Sequence, residues 1–365
     1  MKIVVIGTRG IPNIQGGVET HCEELYPPMV LGQQAEITIL RRSAYITETT
    51  NAKNYKGITL KTLYSPRNKS FEAIIHSMLA LLYAAIKRPD ILHIHAVGPN
   101  LVTPFARLFG LKVIMTHHGP DYERTKWGVV AKTFLKLGEW AGVKFANQVI
   151  VISEGIGESI EKKYGCKDYQ LIPNGVPKAI LDQDIDYLTH LGTAPQQYIF
   201  TLGRFVPEKG FDYLIKAWKA SSESRKYQLV IAGDADHETE YSAGLKDFAI
   251  KNGVLLTGFI KGKPLHQLYT HAKLFVIPSF YEGLPIALLE AMSYGLDILA
   301  SDIAANKEVK LTESFYFETG NIQSLSEKLE EKLSAQKTDI VYDLRRYNWE
   351  NIAQQTYAVY KEVAR

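Results

Sequence analysis

Cysteine is nearly absent. Cys22 and Cys166 are the only two in 365 residues, and they lie far apart in no metal-ligand spacing. A disulfide framework is thereby excluded, and a reducing cytosol fits the usage. Long apolar runs are missing as well: none reaches the roughly 18 to 20 residues needed to span a bilayer. The nearest, Ala73 to Ile86, is interrupted by His76 and Ser77 and reads as a mostly buried helix. The apolar stretch of Met1-Lys2-Ile3-Val4-Val5-Ile6-Gly7 is too short for a signal peptide and reads as a strand of the fold. There are no repeats or low-complexity tracts. No nucleic-acid partner is expected. Also lacking is the Gly-x-Gly-x-x-Gly turn: Gly7 to Thr20 has another glycine pattern and a longer loop, which argues against a nicotinamide enzyme.

What is present is ordinary for a soluble globular chain: 46% hydrophobic and 22% charged residues, with length for two domains. Strand-like runs alternate with helical patterns. Ile3–Ile6, Glu36–Leu40, Ile91–His95, Lys112–Thr116 and Val149–Ile152 form one series. A second runs through Tyr198–Gly203, Gln228–Ala232, Val254–Thr257, Leu274–Ile277 and Ile298–Ala300. This is a parallel α/β pattern repeated twice. The turn-rich Pro173-Asn174-Gly175-Val176-Pro177 separates the series. We expect doubly wound domains at 1–177 and 178–346, and a terminal helix at 347–365 packing back towards the first. Ligands of such sheets bind at the carboxyl ends of the strands, here in a cleft between the domains.

The densest chemistry follows the strand at 274–277, in Glu282-Gly283-Leu284-Pro285-Ile286-Ala287-Leu288-Leu289-Glu290. Pro285 suits a first helical turn, so Glu282 falls in a strand-to-helix turn and Glu290 on the helix. The backbone N–H groups of Gly283 and Leu284 then favour an anion, with the two carboxylates placed to accept hydroxyl hydrogen bonds. Taken alone, the stretch also fits a helix with two solvated glutamates. Gly203-Arg204-Phe205-Val206-Pro207-Glu208-Lys209-Gly210 adds two cations in a glycine-bounded loop, suited to a pyrophosphate. In the first half, Gly16-Gly17 precede the helical pattern Val18 to Tyr26 and leave room for a phosphate, or are a plain flexible loop. His118, after a strand, reads as a hydrogen-bonding or electrostatic residue; His117 and His118 have no zinc-ligand complement in the spacing of the chain.

Residues 1–175 hold 21 Lys and Arg against 14 Asp and Glu, and residues 176–365 hold 21 against 25, giving +7 and −4. Between Arg124 and Lys144, Lys126, Lys132, Lys136 and Lys144 interleave with Trp127, Phe134, Leu137 and Trp140. Such a segment fits peripheral contact with an anionic membrane, or a core-facing helix with a solvated basic side.

Together these motifs resemble the retaining family 4 glycosyltransferases of the GT-B fold. The likeness runs from Gly16-Gly17 through His118, Ser153-Glu154, Pro173-Asn174-Gly175-Val176, Gly203-Arg204, Lys209-Gly210 and Gly258-Phe259 to the two glutamates. A looser likeness, through Gly7 to Thr20 and Ser301-Asp302-Ile303, is to the rhamnosyltransferase-type branch of surface polysaccharide assembly. The resemblance implies an enzyme that uses a nucleoside-diphosphate sugar donor, a saccharide or lipid-linked acceptor and no metal or other cofactor; the cysteine usage and the segment 124–144 fit a cytoplasmic location with or without peripheral contact on the inner face of the membrane. The resemblance also implies roles. Arg204 and Lys209 hold the diphosphate, with Gly17 adding a backbone contact, and Glu290 binds the ribose. Glu282, the N–H groups of Gly283 and Leu284, and His118 attend the sugar and phosphate. Gly258, Phe259 and Ile260 lie by the base. Gly16, Gly203 and Pro285 complete these loops. The pattern departs from many relatives at Ala304-Ala305, where a Gly-Gly is common, so that turn loses its phosphate role and Glu308 reads as structural. Three rivals stand beside this reading: a glycoside hydrolase, which has no need of the Arg204/Lys209 loop, a sugar-nucleotide epimerase, and a silent nucleotide-sugar-binding subunit.

Overall fold

The computed structural model describes residues 1–32, 34–66, 72–123, 128–335 and 340–365. Arg124, Lys126 and Trp127 of the basic-aromatic segment lie outside the described residues. The chain divides into two compact units, Met1–Gly175 with Arg346–Arg365, and Val176–Arg345.

In the first unit the strands are β1 (Lys2–Ile6), β2 (Glu36–Arg42), β3 (Asn54–Tyr55), β4 (Ile58–Leu63), β5 (Ile91–His95), β6 (Val113–His117), β7 (Gln148–Val151) and β8 (Tyr169–Leu171). They form one sheet in the order β3-β4-β2-β1-β5-β6-β7-β8. All neighbours are parallel except the β3–β4 hairpin, with Ile3 of β1 beside Ile37 of β2 and Ile91 of β5. The central strands are apolar on both sides because helices cover both faces. On one face Cys22, Leu25, Tyr26 and Met29 of the helix Gly17–Leu31 and Trp349, Ile352, Val359 and Tyr360 of the helix Trp349–Ala364 pack on Ile3, Val5 and Ile91. The other face is covered by Ala80, Leu81 and Ala84 of the helix Glu72–Lys87. Each fully buried side chain of this size contributes roughly 1.5–3 kcal/mol. Losing the C-terminal helix would therefore cost an amount comparable with the roughly 5–15 kcal/mol that holds a domain together.

Two helices differ from expectation. The first continues past Tyr26 to Leu31 with Pro27 and Pro28 inside it, held by the burial of Leu25, Tyr26 and Met29 although proline removes backbone hydrogen bonds. The helix Glu72–Lys87 is not mostly buried. Ile75, Met78, Leu79, Leu82 and Ile86 are all exposed, at a spacing that places them in one stripe.

The second unit contains β9 (Tyr198–Leu202), β10 (Gln228–Ala232), β11 (Leu255–Leu256), β12 (Leu274–Ile277), β13 (Ile298–Ser301) and β14 (Tyr316–Phe317), in the order β11-β10-β9-β12-β13-β14. Its named pairs are all parallel. Strand order reverses direction between β9 and β12, which makes the loops after these two strands the switch point where an open α/β sheet takes its ligand.

Candidate functional site

In the second unit, the loops after β9 and β12 are tied to each other. Gly210 has φ 64, and a Cβ there would collide with the Pro278 carbonyl oxygen, so only glycine suits this turn. Phe280 N donates to Glu208 O at 2.8 Å. This closure brings Lys209 Nζ to 2.5 Å from Glu282 Oε1, with side chains only 18% and 12% exposed. Ser279 Oγ donates to the same oxygen at 2.7 Å, and Ser301 Oγ donates to Ser279 O at 2.5 Å, so β13 supports the turn. Gly203 lies against the Lys209 stem and donates its N–H to Ala232 O at 3.0 Å.

Arg204 leans the other way. Its Nη1 donates to Asp236 Oδ2 at 2.9 Å, in the loop after β10. Gly258, in the same region, accepts from Gly233 N at 2.8 Å and has φ 68; Phe259 beside it is 42% exposed, open for a planar group, and Ile260 is half-buried. Pro285 is not in the first turn of its helix but is the N-cap of Ile286–Ser293, where its carbonyl accepts from Leu288 N at 3.1 Å and its missing N–H is not needed. Gly283 and Leu284 precede it in the turn, as the sequence indicates. Glu290, on the helix, accepts from Tyr269 Oη at 2.9 Å. Burial, then the Glu290 charge, pushes the Tyr269 hydroxyl well above its ordinary pKa, so it stays a donor. Ala304 and Ala305 open a short helix, Ala304–Lys307, whose Asn306 donates to Ser301 O at 2.8 Å.

The first unit has a different kind of site. His93 and His95 alternate along β5 and face the helix Gly17–Leu31, which supplies His21 and Tyr26; His118 follows β6. His118 Nε2 lies 2.9 Å from His95 Nδ1, His95 Nε2 lies 2.6 Å from Tyr26 Oη, and Tyr26 Oη lies 3.0 Å from His93 Nδ1. Tyr360 Oη reaches the same His93 nitrogen at 2.6 Å, and His93 Nε2 meets Thr116 Oγ1 at 2.7 Å. Burial pushes His21 down to about 4 and His93 to about 3, and holds His95 and His118 well below the ordinary imidazole value, with neighbouring histidines adding to the shift in all but His21. The cluster is therefore neutral at pH 7.

His117 belongs elsewhere. Its Nε2 is 2.7 Å from Glu139 Oε1, both side chains 1% exposed, and Glu139 also accepts from Tyr122 and Tyr164. Burial raises the Glu139 carboxyl, but the His117 and Tyr164 hydrogen bonds more than reverse this.

At the start of the helix Gly17–Leu31, a side chain on Gly16 (φ 148) would collide with the Glu19 carboxylate, whereas Gly17 faces open space. Glu19 Oε1 accepts from Arg9 N at 2.9 Å and Thr8 Oγ1 at 3.2 Å, which sets a carboxylate beside the turn expected to meet a phosphate.

Sequence reasoning missed Asp236, Tyr269, Ser279, His21 and His95. Asp236 and Ser279 carry the same signal as Arg204, a position just after a buried strand. His21, His95 and His118 come from three separate elements, and one ring nitrogen of each lies within 4.8 Å of the others. A three-histidine grouping that no local spacing shows is thus assembled by the fold.

The chain is similar to known proteins in sequence and in fold. Residues 15–179 match the model described as Glycosyltransferase Family 4, and residues 191–352 the model described as Glycosyl transferases group 1. An uncharacterised glycosyltransferase of Methanocaldococcus jannaschii is 24% identical, covering 99% of this chain and 98% of its own. The Escherichia coli UDP-Gal:alpha-D-GlcNAc-diphosphoundecaprenol alpha-1,3-galactosyltransferase is 26% identical, covering 88% and 86%. Among solved structures, Anabaena HepE in complex with UDP and glucose aligns with a TM-score of 0.80 at 18% identity over 99% of this chain and 100% of its own. Thermosynechococcus elongatus sucrose-phosphate synthase aligns at 0.78 and 20% identity over 99% and 98%. With both domain models matched in sequence along the chain, it belongs to the family 4 and group 1 glycosyltransferases and has the GT-B fold.

Proposed function

We propose that this glycosyltransferase moves a hexosyl or deoxyhexosyl group, with retention of configuration, from a nucleoside-diphosphate sugar to a lipid-linked saccharide in exopolysaccharide, capsule or O-antigen assembly. The observation that carries the reading is the Lys209–Glu282 pair at 2.5 Å, locked between the loops after β9 and β12. As the glycosidic bond breaks, negative charge grows on the departing diphosphate. Lys209 and Arg204 are the cations that stabilise it, exchanging Glu282 and Asp236 for phosphate oxygens. With two cations in that role the transfer requires no metal ion.

Glu282 keeps its Ser279 hydrogen bond and turns to the sugar hydroxyls, while the N–H groups of Gly283 and Leu284 meet the phosphate. Glu290, oriented by Tyr269, takes the ribose; Gly258, Phe259 and Ile260 take the base. His118 and the open backbone of Gly17 keep the sugar and phosphate roles that the family resemblance implies for them. In the front-face route implied by the family resemblance, the leaving phosphate itself accepts the acceptor's proton, so no protein nucleophile is needed. The E. coli relative, named for UDP-Gal and a diphosphoundecaprenol acceptor, and HepE, solved with UDP-glucose, support this donor and acceptor chemistry.

To reach a lipid-linked acceptor, the first unit contacts the cytoplasmic membrane surface. No helix among the described residues is long and apolar enough to cross a membrane. The helix Val129–Phe145 exposes Val129, Val130, Phe134, Leu137 and Trp140, and the stripe from Ile75 to Ile86 adds a second apolar face. Of the lysines, Lys144 donates to Tyr164 O at 2.7 Å and Lys136 sits 5.5 Å from the Tyr122 ring centre, so the apolar side chains are the sharper probe. Leu82→Glu with Ile86→Glu is expected to abolish sedimentation with anionic liposomes, and unchanged sedimentation counts against the contact.

The reaction is tested with UDP-, dTDP- and GDP-sugars and a lipid-linked acceptor. Lys209→Ala and Glu282→Ala are expected to abolish transfer in a folded chain. Isomerised donor supports the epimerase instead, and near-normal transfer by either variant removes the assignment.

A further inference from the structure

The histidine cluster of the first unit has a capacity the transfer reaction does not use. His21 Nδ1 is 2.9 Å from Asn174 Oδ1, which as an acceptor fixes the ring proton on Nδ1 and leaves a lone pair on Nε2. That Nε2 is buried without a hydrogen-bond partner, in a side chain 3% exposed. An orphaned buried acceptor costs about 1–3 kcal/mol, so something must favour keeping it. His21 meets His118 edge to face with ring centres 4.7 Å apart, and His95 at 5.4 Å.

We propose that the unpartnered Nε2 of His21, with the facing nitrogens His95 Nδ1 and His118 Nε2, forms a three-histidine site for one Zn2+ ion. Zinc takes imidazole nitrogens at about 2.0–2.1 Å, which sets three such ligands roughly 3.3 Å apart. His95 Nδ1 and His118 Nε2 are already 2.9 Å apart, and all three donors fall within 4.8 Å. Closing the remainder asks for rotation of His21, whose Nε2 has no hydrogen bond to break.

The ligands' outer nitrogens are also held as metal-binding imidazoles usually are. His21 Nδ1–H donates to Asn174, and His95 Nε2–H donates to Tyr26 Oη, whose own proton goes to His93 Nδ1. The proton shared between His95 and His118 in the metal-free chain moves to His118 Nδ1 when the ion takes its place. Three imidazoles leave a fourth position, and His118, the one partly exposed member, opens it to water. Since His118 is the residue proposed to touch the donor sugar, a bound ion would block that contact. This last consequence rests on the proposed function; the binding does not.

The test is calorimetric titration of Zn2+ into the full chain stripped of metal, with the visible absorption of Co2+ as a second reading of coordination. One ion per chain and a tetrahedral Co2+ spectrum are expected. His21→Gln and His118→Gln should each weaken binding at least about tenfold, and His190→Gln, an exposed histidine elsewhere, should leave it unchanged. Circular dichroism checks that the variants fold; should His21→Gln fail to fold, His118→Gln decides. No bound ion, or equal binding by the wild type and both cluster variants, overturns the site.

Discussion

In the second unit the cations Lys209 and Arg204 lie 2.5 and 2.9 Å from carboxylates, whereas in the first unit three buried histidines and the partly exposed His118 cluster with no charge among them. Both arrangements answer the same difficulty, that an uncompensated charge away from water is expensive. The ion-paired site keeps its charges and offsets each with a carboxylate, which on the proposed function is exchanged for an incoming anion. The neutral site gives up charge and retains only hydrogen bonding and lone pairs. On the proposed function a charged leaving group therefore goes to the second unit, and on the proposals made for the histidines sugar hydroxyls or a metal ion go to the first.

The strongest break of this contrast is removal of a cation. Lys209→Ala should slow transfer by about a hundredfold or more, on the order of 3 kcal/mol of barrier, by comparison with loss of an oxyanion-stabilising donor. Steady-state kinetics at saturating acceptor measures it, and a rate within a few-fold of wild type would dissolve the distinction between the units.

A second test separates the adjacent histidines. His117→Ala leaves Glu139 buried with its tyrosines but without its His117 hydrogen bond, and should cost about 1–3 kcal/mol in urea unfolding. His118→Gln should cost under about 1 kcal/mol while slowing transfer, because its side chain is partly exposed. Equal effects on stability would show that the pair acts as one structural element.

The third uses pH. His21 titrates near 6.5 unfolded and about 4 folded, so between those values the unfolded chain binds a proton that the folded chain refuses. Its contribution to stability is complete above pH 6.5 and lost as pH falls towards 4, amounting to roughly 3 kcal/mol. Denaturation curves at pH 7.5, 6 and 5 should show this loss, reduced in His21→Gln. A flat profile would mean the cluster is hydrated.

The smallest effect is at Tyr269. Tyr269→Phe removes one hydrogen bond to Glu290 and should weaken nucleoside-diphosphate binding by about 1 kcal/mol while leaving pyrophosphate binding unchanged. Equal weakening of both would move Glu290 from the ribose to the phosphate.

Most of the fold is legible in the sequence because β1, β5, β6, β9, β10 and β12 are short apolar runs bounded by turn residues, the pattern of strands buried on both faces. β3, β4, β8 and β14 escape notice. Asn54-Tyr55 and Tyr169-Gln170-Leu171 are short edge strands exposed enough to carry no apolar signature. The Glu72–Lys87 helix misleads in the opposite sense, since an apolar composition reads as burial even when one stripe faces outward. Residues close to a strand end, such as Lys209 and Glu282, are recognisable from sequence because their chemistry is local. Asp236 and Tyr269 matter through partners 32 and 21 residues away, and His21 joins His95 and His118 only through the parallel crossovers of the sheet.

The central claim is that Arg204 and Lys209 are a diphosphate site held in reserve by Asp236 and Glu282. It is tested most directly by the thermal shift that UDP, dTDP and GDP produce in the wild type and in the Arg204→Ala/Lys209→Ala double variant. A ligand that binds only the folded state raises the unfolding midpoint by linkage. The account predicts that at least one of the three raises the wild-type midpoint and that the same nucleotide leaves the double variant unmoved. An equal shift in both proteins would contradict it.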